Sequence, residues 1–404
     1  MKKRIVSLLL SLLLLISVVP ISVSAEGNYV AWIGTKGYKT LDAAIKEAQD
    51  GDTIQLGEGK YATFIAANQP NYSGKNLTFE GKGNETVWQI GAENPNPDLF
   101  GTEYNGDYSF DGRGTEKEET VTFKNINFYV GIQDYRGFIG IDNLVFEDCT
   151  VNGEITYGGT KTAKYEDVVF NAPTAAGNSG SGYSFYSIDG DNVTFKNCTF
   201  NGNGKFINVY SHYEETNVTK IINFDSCTVN STGNNKQPLN IKNGDSTRDT
   251  KHTVNWEINI SGHNVFTNDT TAENRPVNKI TCSRWFSVQK DSPNPEWDKL
   301  VTVKIDGTPV WQDGKMVKHA IDTANDKYTD GYKDNAFTVT ETGWVQQSDG
   351  SYKWMVTRVC KYCGYTETVE ETKRDEVDDI TAVLLPALQA NTDDHYSYLI
   401  GYSD

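Results

Sequence analysis

A scattered set of tyrosines, amides and charged residues has the composition of a carbohydrate-binding surface. Flat aromatic rings stack on the apolar face of a sugar, and polar groups bond its hydroxyls. If these residues alternate with apolar neighbours along strands, they share one outward face. The alternative is an ordinary solvated sheet face, because tyrosine and threonine favour strands in any case. The predicted contact residues are Tyr135, Glu154, Tyr186, Asn208, Tyr210, His212 and Lys242.

Basic and acidic residues offer a second chemistry, the cleavage of an acidic polysaccharide. A lyase needs a base beside carboxylates that neutralise a uronate, usually through calcium. The candidate clusters are Lys242 with Asp245 and Arg248, and Asp189 with Asp191. A glycoside hydrolase needs two facing carboxylates, and the predicted face has no Asp-Asp pair. Catalysis therefore stays uncertain, no catalytic residue is assigned, and no cofactor is expected unless a lyase holds calcium.

Cys360 and Cys363 form the closest cysteine pair and have three interpretations. They supply half a zinc site, but zinc usually needs four ligands and no second close pair exists. A redox pair is conceivable, but no βαβ context surrounds it. A local disulfide or two free thiols at the tip of a hairpin is favoured, and no metal site is predicted.

An internal repeat must position these residues. Four segments align directly, namely 121–128, 144–151, 193–200 and 222–229, and 168–174 is a weaker copy. The equivalent positions Ile126, Cys149, Pro173, Cys198 and Cys227 are 23, 24, 25 and 29 residues apart. One copy cannot bury its apolar face alone, whereas stacked copies can.

Stacking predicts four sets of equivalent residues. Three short strands per repeat, at a period of about 24 residues, indicate a triangular solenoid rather than a sandwich. The predicted sets are the interior aromatics Phe123, Phe146, Phe170, Phe195 and Phe224; the buried thiols Cys149, Cys198 and Cys227; the bend residues Asn125, Asp148, Asn197 and Ser226; and the inward third-strand residues Ile132, Ile155, Phe185, Val209 and Ile241.

A short helix precedes the repeats. Leu41, Ala44, Ile45 and Ala48 lie at helical spacing behind a cap at Thr40. Such a helix shields the open end of the first repeat.

Residues 40–48 and 50–56, together with the repeated Val-Thr-Phe-Lys-Asn-Cys-Thr-Phe pattern, resemble pectin-lyase-like proteins. The resemblance covers roughly residues 29 to 270. It implies an all-β fold, a right-handed parallel β-helix with three-strand coils, and active sites along the third-strand face. It is specific to the fold and not to one activity.

The first residues resemble an export signal. Lys2, Lys3 and Arg4 precede an apolar stretch from residue 5 to 19, and small residues at 23–25 precede a cleavage site. Without this leader the formal net charge changes from −17 to −20. An acidic surface repels phosphate, so nucleic acid is not an expected partner. No later segment has 18 consecutive apolar residues, so no transmembrane segment is expected in the mature chain.

The C-terminal third departs from the repeat. Residues 301–314 predict a hairpin with turns at Asp306-Gly307 and Asp313-Gly314. The predicted organisation is a signal peptide at 1–25, a parallel β-helix at 26–312, a connection at 313–336, a small β module at 337–372, and a final segment at 373–404.

The final segment, residues 391–404, resembles the opening of an S-layer homology domain, with Asp394-His395, an apolar pair and Gly401-Tyr402. Ser403 stands where that family commonly has proline. By resemblance, a full protein would be displayed on a Gram-positive type of cell wall through such domains, which bind wall polysaccharide. Only a truncated start of the domain is present, without the helices and polymer-binding residues that should follow, so this chain alone is expected to bind the wall weakly. From the export signal, the predicted contact face and the missing enzyme signatures, the chain is expected to be secreted or cell-wall displayed and non-enzymatic, with a polysaccharide or cell-wall glycan as its partner.

The leader generates a direct prediction. Expression in a secreting bacterial host should release a protein that begins at Glu26, because a signal peptidase cleaves after small residues. Intact-mass measurement of the secreted material checks this, and secreted soluble protein that keeps Met1 would contradict it.

Overall fold

A computed structural model describes about half of the chain. The described residues are 29–63, 74–90, 110–111, 117–130, 137–155, 157–158, 161–173, 183–185, 188, 190–202, 206–209, 216–231, 239–241, 253–262, 265–268, 286–288, 296–317, 337–360 and 366–370. Within these ranges the fold is all-β with a single α-helix.

The elements follow the chain in this order: β1 (Ala31–Ile33), β2 (Lys36–Tyr38), α1 (Leu41–Glu47), β3 (Thr53–Leu56), β4 (Gly59–Thr63), β5 (Leu77–Ile90), β6 (Phe110–Asp111), β7 (Thr120–Val130), β8 (Gly137–Ile139), β9 (Asn143–Glu147), β10 (Thr150–Asn152), β11 (Tyr157–Gly158), β12 (Thr162–Glu166), β13 (Val169–Asn171), β14 (Asn192–Lys196), β15 (Thr199–Gly202), β16 (Ile207–Val209), β17 (Thr216–Asp225), β18 (Thr228–Ser231), β19 (Leu239–Ile241), β20 (Thr253–Ser261), β21 (Val265–Asn268), β22 (Phe286–Val288), a 3₁₀ helix (Trp297–Leu300), β23 (Val301–Ile305), β24 (Thr308–Gln312), β25 (Lys315–Met316), β26 (Phe337–Gln346), β27 (Tyr352–Cys360) and β28 (Thr366–Glu370).

Parallel pairing organises most of these strands into three ladders. Ladder 1 contains β3, β5, β7, β9, β12, β14, β17, β20 and β23, each paired with the next. Ladder 2 contains β4, the C-terminal halves of β5 and β7, and then β10, β13, β15, β18 and β21. Ladder 3 contains β6, β8 and β11, single bridges at Ile155, Phe185 and Ile207, and β16, β19 and β22. Successive repeats of the sequence therefore enter the three ladders in the same order.

The aromatic column inside ladder 1 confirms the repeat but corrects one member. Phe123, Phe146, Phe195 and Phe224 are fully buried and occupy equivalent register positions. Between Phe146 and Phe195 the column contains Tyr165, not Phe170 as the sequence predicted. Matching by residue type places this weak copy five residues too late in the sequence, because Ala163 and Tyr165 stand where the other copies usually have Val and Phe.

Phe170 is buried in ladder 2 instead, where it pairs in register with Val151 and Phe200. The same shift affects the thiol column. Val168, not Pro173, takes the place that Cys149 and Cys198 hold in their repeats, since both flanking pairs of strands fix that register. Both corrections have one cause: the fifth copy keeps the apolar character of the motif but not its residue types.

The predicted bend between ladders 1 and 2 is confirmed by its backbone. Asn125, Asp148, Asn197 and Ser226 all have φ between 52° and 57°. Asp167, at φ 56°, is a fifth member that the misaligned copy concealed. Asn and Asp adopt this left-handed conformation more readily than other non-glycine residues. The bend amides then donate to carbonyls of the next repeat, for example Asn197 N to Asp225 O at 2.9 Å.

The thiols behind the bend are buried and not bridged by a disulfide in the structure, as predicted. Each sulfur lies near the carbonyl of the aromatic residue in the preceding repeat: Cys149 Sγ is 3.5 Å from Phe123 O, and Cys198 Sγ is 3.3 Å from Tyr165 O. Burial raises the pKa of Cys149 to about 12, because the thiolate would lose its hydration. These cysteines are therefore small apolar residues with a weak donor in the ground state.

The outer face of ladder 2 carries a row of asparagines. Asn152, Asn171, Asn201 and Asn230 each donate from Nδ2 to the Oδ1 of the asparagine in the preceding repeat, at 2.8–2.9 Å. The first acceptor is Asn127. Each amide thus satisfies its neighbour, which makes the row a polar counterpart of the interior column.

Charged residues pair across ladder 1 at its outer face. Glu166 receives Lys164 Nζ at 2.5 Å and Lys196 Nζ at 2.6 Å, and Lys124 approaches Glu147 at 2.7 Å. The hydrogen bond from Lys164, and then the one from Lys196, lowers the pKa of Glu166 to about 2. Opposite charges directly across parallel strands stabilise the same register as the interior column.

The two ends of the ladders differ. Helix α1 is capped by Thr40, whose side chain accepts from Ala43 N at 3.2 Å, and it buries Leu41, Ala44 and Ile45 as predicted. At the other end β23, β24 and β25 form an antiparallel meander. Its turns carry positive φ at both central residues of 306–307 and 313–314, which is the geometry expected of Asp-Gly hairpins.

Strands β26, β27 and β28 form an antiparallel sheet of their own. Its Trp344 and Trp354 pair edge to face at 5.4 Å. The side chain of Cys360, residues 361–365 and the segment 373–404 lie outside the described residues, as does the leader at 1–25. Among the described helices, none has the length and apolar character needed to cross a bilayer.

Replacing Phe195 tests the interior column. Its ring lies 5.0 Å from the rings of both Tyr165 and Phe224, stacked in each case. Phe195→Ala should lower the free energy of unfolding by about 3–5 kcal/mol, because it opens a cavity in a continuous column. Phe195→Leu retains most of the volume and should cost clearly less. Urea unfolding of the two variants and of the wild type measures these differences. Equal stability of Phe195→Ala and wild type would contradict the placement of Phe195 in a continuous interior column.

Replacing Glu166 tests the outer charges. The folded pKa lies below the unfolded value of about 4.3, so the stabilising contribution is complete above that value and is lost as pH falls towards 2. Glu166→Gln should therefore be less stable than wild type at pH 6, by about 1 kcal/mol or less because the lysines are half-exposed. The difference should vanish near pH 2 and shrink in high salt. A difference that grew on acidification would contradict this assignment.

Candidate functional site

The outer side of ladder 3 holds a group of polar residues that we call the ladder 3 polar cluster: Glu154, Tyr183, Ser184, Asn208 and Asn240. Glu154, Ser184, Asn208 and Asn240 each lie next to an inward apolar residue of the same short segment, and Tyr183 joins them through its hydroxyl, which lies 3.3 Å from Asn240 Nδ2. Ile155, Phe185 and Val209 are buried in the core, as are Ile207 and Ile241. Alternation along the strand therefore turns the polar neighbours away from the core.

A tight corner brings the chain from ladder 2 to this cluster. Gly153 has φ 117°, and a Cβ at this position would lie 2.0 Å from Val130 O. Only glycine fits, so the chain turns sharply between Asn152 and Glu154. The backbone then pairs across repeats, with Ile155 N donating to Ser184 O at 2.8 Å and Asn208 N donating to Phe185 O at 3.0 Å. These bonds bring Glu154, Ser184 and Asn208 onto one face.

Two asparagines form the centre of the cluster. Asn240 Nδ2 donates to Asn208 Oδ1 at 2.9 Å and lies 3.3 Å from Tyr183 Oη. This pair repeats, on ladder 3, the asparagine arrangement that runs along ladder 2. Here, however, a phenol joins the amides, so the cluster combines an aromatic surface with hydrogen-bonding groups.

The cluster contains two polar atoms without a partner. Asn208 Nδ2 and Ser184 Oγ are buried and make no hydrogen bond. Both residues are only 1% exposed, as is Glu154. A buried donor or acceptor left unsatisfied costs about 1–3 kcal/mol. The asparagines that bridge the repeats of ladder 2, by contrast, donate to one another.

The sequence-predicted contact residues divide into two groups. Glu154 and Asn208 lie in the ladder 3 polar cluster, on the side of the sheet that was predicted, but they are shielded from solvent. Tyr135, Tyr186, Tyr210, His212 and Lys242 lie outside the described residues. Sequence reasoning missed Tyr183 and Ser184 as members, although the alternation that assigned Phe185 to the interior also assigns Ser184 to the outer face.

The clusters considered for lyase chemistry are not brought to this face by the described residues. Asp189, Lys242, Asp245 and Arg248 lie outside them. Asp191 lies at the start of ladder 1, where its Oδ1 is 3.3 Å from Nζ of the buried Lys220. In the described part of the chain, no three His, Cys, Asp or Glu side chains converge as metal ligands.

No protein family, no curated protein and no solved structure matches this chain.

Proposed function

We propose that this protein is a right-handed parallel β-helix, secreted or displayed on the cell wall, that binds a glycan without cleaving it. Three parallel ladders that successive repeats enter in the same order support the β-helix. Parallel strands joined by crossover connections are almost always right-handed. The partner, the localisation and the absence of catalysis are proposals that rest on the sequence resemblances and on the ladder 3 polar cluster.

The single observation that carries the binding proposal is the pair of unpartnered atoms, Asn208 Nδ2 and Ser184 Oγ. A sugar offers several hydroxyl groups that donate and accept hydrogen bonds, so sugar hydroxyls can satisfy both atoms. Because both are shielded from solvent, binding must expose them, which is a common accompaniment of recognition. Tyr183 provides an adjacent ring for contact with the apolar face of the sugar.

The charge of the protein favours a neutral glycan over an acidic one. The chain has a formal net charge of −17. A uronate would therefore approach a protein of like net charge, whose repulsion opposes binding. The unpartnered groups are a neutral amide and a neutral hydroxyl, which suit sugar hydroxyls.

The test begins with a glycan array probed with the full chain, followed by titration calorimetry on the best neutral oligosaccharide. Ser184→Ala should weaken binding about fivefold, the equivalent of one ordinary hydrogen bond of about 1 kcal/mol. The same variant should be at least as stable as wild type, since it removes an unsatisfied hydroxyl. Opposite effects on affinity and stability distinguish a ligand-binding group from a structural one.

Asn201→Ala is the matched control, because it removes a half-buried amide from the ladder 2 row. It should lower stability and leave affinity unchanged. Wild-type affinity in both Ser184→Ala and Asn208→Ala would remove this face from consideration. Release of unsaturated uronate from an acidic polysaccharide by the full chain would instead establish the lyase alternative.

A further inference from the structure

The buried thiols of neighbouring repeats point to a disulfide site. We propose that Cys198 and Cys227 form a disulfide between adjacent repeats when the chain folds under oxidising conditions, and that Cys149 does not take part. The disulfide would close a loop from one repeat to the next and fasten ladders 1 and 2 at their common bend.

The register makes Cys198 and Cys227 direct neighbours. Lys196 pairs with Asp225 before the bend, and Thr199 pairs with Thr228 after it, so the two cysteines have the same offset. Thr228 N donates to Cys198 O at 2.8 Å. Adjacent strands lie about 4.8 Å apart, and disulfides join residues whose Cα atoms are about 4.4–6.8 Å apart. The backbone therefore already has a spacing that a disulfide accepts.

The same register excludes Cys149. Val168 lies between Cys149 and Cys198 in the column, since Glu166 and Val169 each pair with the repeats on both sides. Cys149 is thus two strand spacings, about 9.6 Å, from Cys198, which is beyond the reach of a disulfide without backbone movement. Val168 therefore determines which two of the three cysteines can form the disulfide.

The two thiols also interact with each other. The Cys198 thiol donates a hydrogen bond to the Cys227 sulfur and lowers the pKa of Cys227. Burial raises the pKa of Cys198. The two sulfurs are therefore neighbours in the folded chain, as a disulfide between them requires.

The oxidant is a small-molecule disulfide such as oxidised glutathione. One of the two cysteine thiolates attacks one sulfur of the reagent, forms a mixed disulfide and releases one small thiolate. The other cysteine then loses its proton and attacks the protein sulfur of the mixed disulfide, which expels the second small thiolate. Two protein thiols lose two electrons and two protons, and the reagent becomes two thiols. Because both sulfurs are buried in the folded chain, the exchange takes place during folding or local opening.

The experiment refolds the full chain from urea in a glutathione redox buffer, blocks remaining thiols and maps disulfides by mass spectrometry without reduction. The expected result is one linked peptide pair that contains Cys198 and Cys227, with Cys149 alkylated. The melting temperature should rise by about 5 °C and return on reduction, since a closed loop restricts the unfolded chain. Cys227→Ser should abolish both the link and the shift, and Cys149→Ala should change neither.

A variant that adds a thiol tests the same geometry without removing either cysteine. Val168→Cys places a thiol beside both Cys149 and Cys198, so new links from position 168 to either neighbour should form. A link between Cys149 and Cys198 in the wild-type chain would overturn the proposal. So would fully alkylated Cys198 and Cys227 in protein that has regained its native circular dichroism spectrum.

Discussion

The left-handed bend between ladders 1 and 2 is the constraint on which the rest of the structure depends. Five repeats place one residue at φ between 52° and 57° in the same register position. That conformation costs a non-glycine residue about 1–2 kcal/mol, and the amide of the bend recovers part of it by bonding to the next repeat. Because the bend fixes the direction of both flanking strands, one position determines which side chains face inward in two ladders.

Three columns follow from that register, and each uses a different interaction. Phe195 stacks on the rings of its neighbours inside, Asn201 bonds to the amides of its neighbours outside, and Glu166 pairs with lysines at the edge of ladder 1. A slip by one residue would exchange the interior and exterior sets in full. The aromatic, amide and ionic columns therefore all oppose a slip in strand register, and none of them depends on a particular ligand.

The repeat could be predicted from the sequence where the same residue types recur in each copy. The prediction was wrong where a copy keeps only the apolar nature of the positions. The Val-x-Phe and Asn-Cys pairs around Phe195 identified the interior aromatic, the bend and the thiol together. In the copy around Tyr165, alanine, tyrosine and valine meet the same steric demands, so a search for matching letters selected Phe170 instead. The candidate site was harder still. Alternation in segments of three residues indicated that Glu154 and Asn208 face outward, but it does not predict that both are shielded from solvent.

The scaffold and the candidate site differ in how completely their polar side chains are hydrogen-bonded. Along ladder 2 the asparagines that bridge repeats hold one another, and this regularity makes the row rigid. On ladder 3 the pattern starts again with Asn208 and Asn240, but Asn208 Nδ2 and Ser184 Oγ are left without partners. Other buried side-chain atoms without a partner occur in the described residues, among them Trp88 Nε1 and Trp297 Nε1, but the pair on ladder 3 places an amide and a hydroxyl on one face. Proteins retain such local violations where a function requires them, and an amide and a hydroxyl held in fixed positions on a rigid ladder are already arranged for a partner that brings hydroxyl groups.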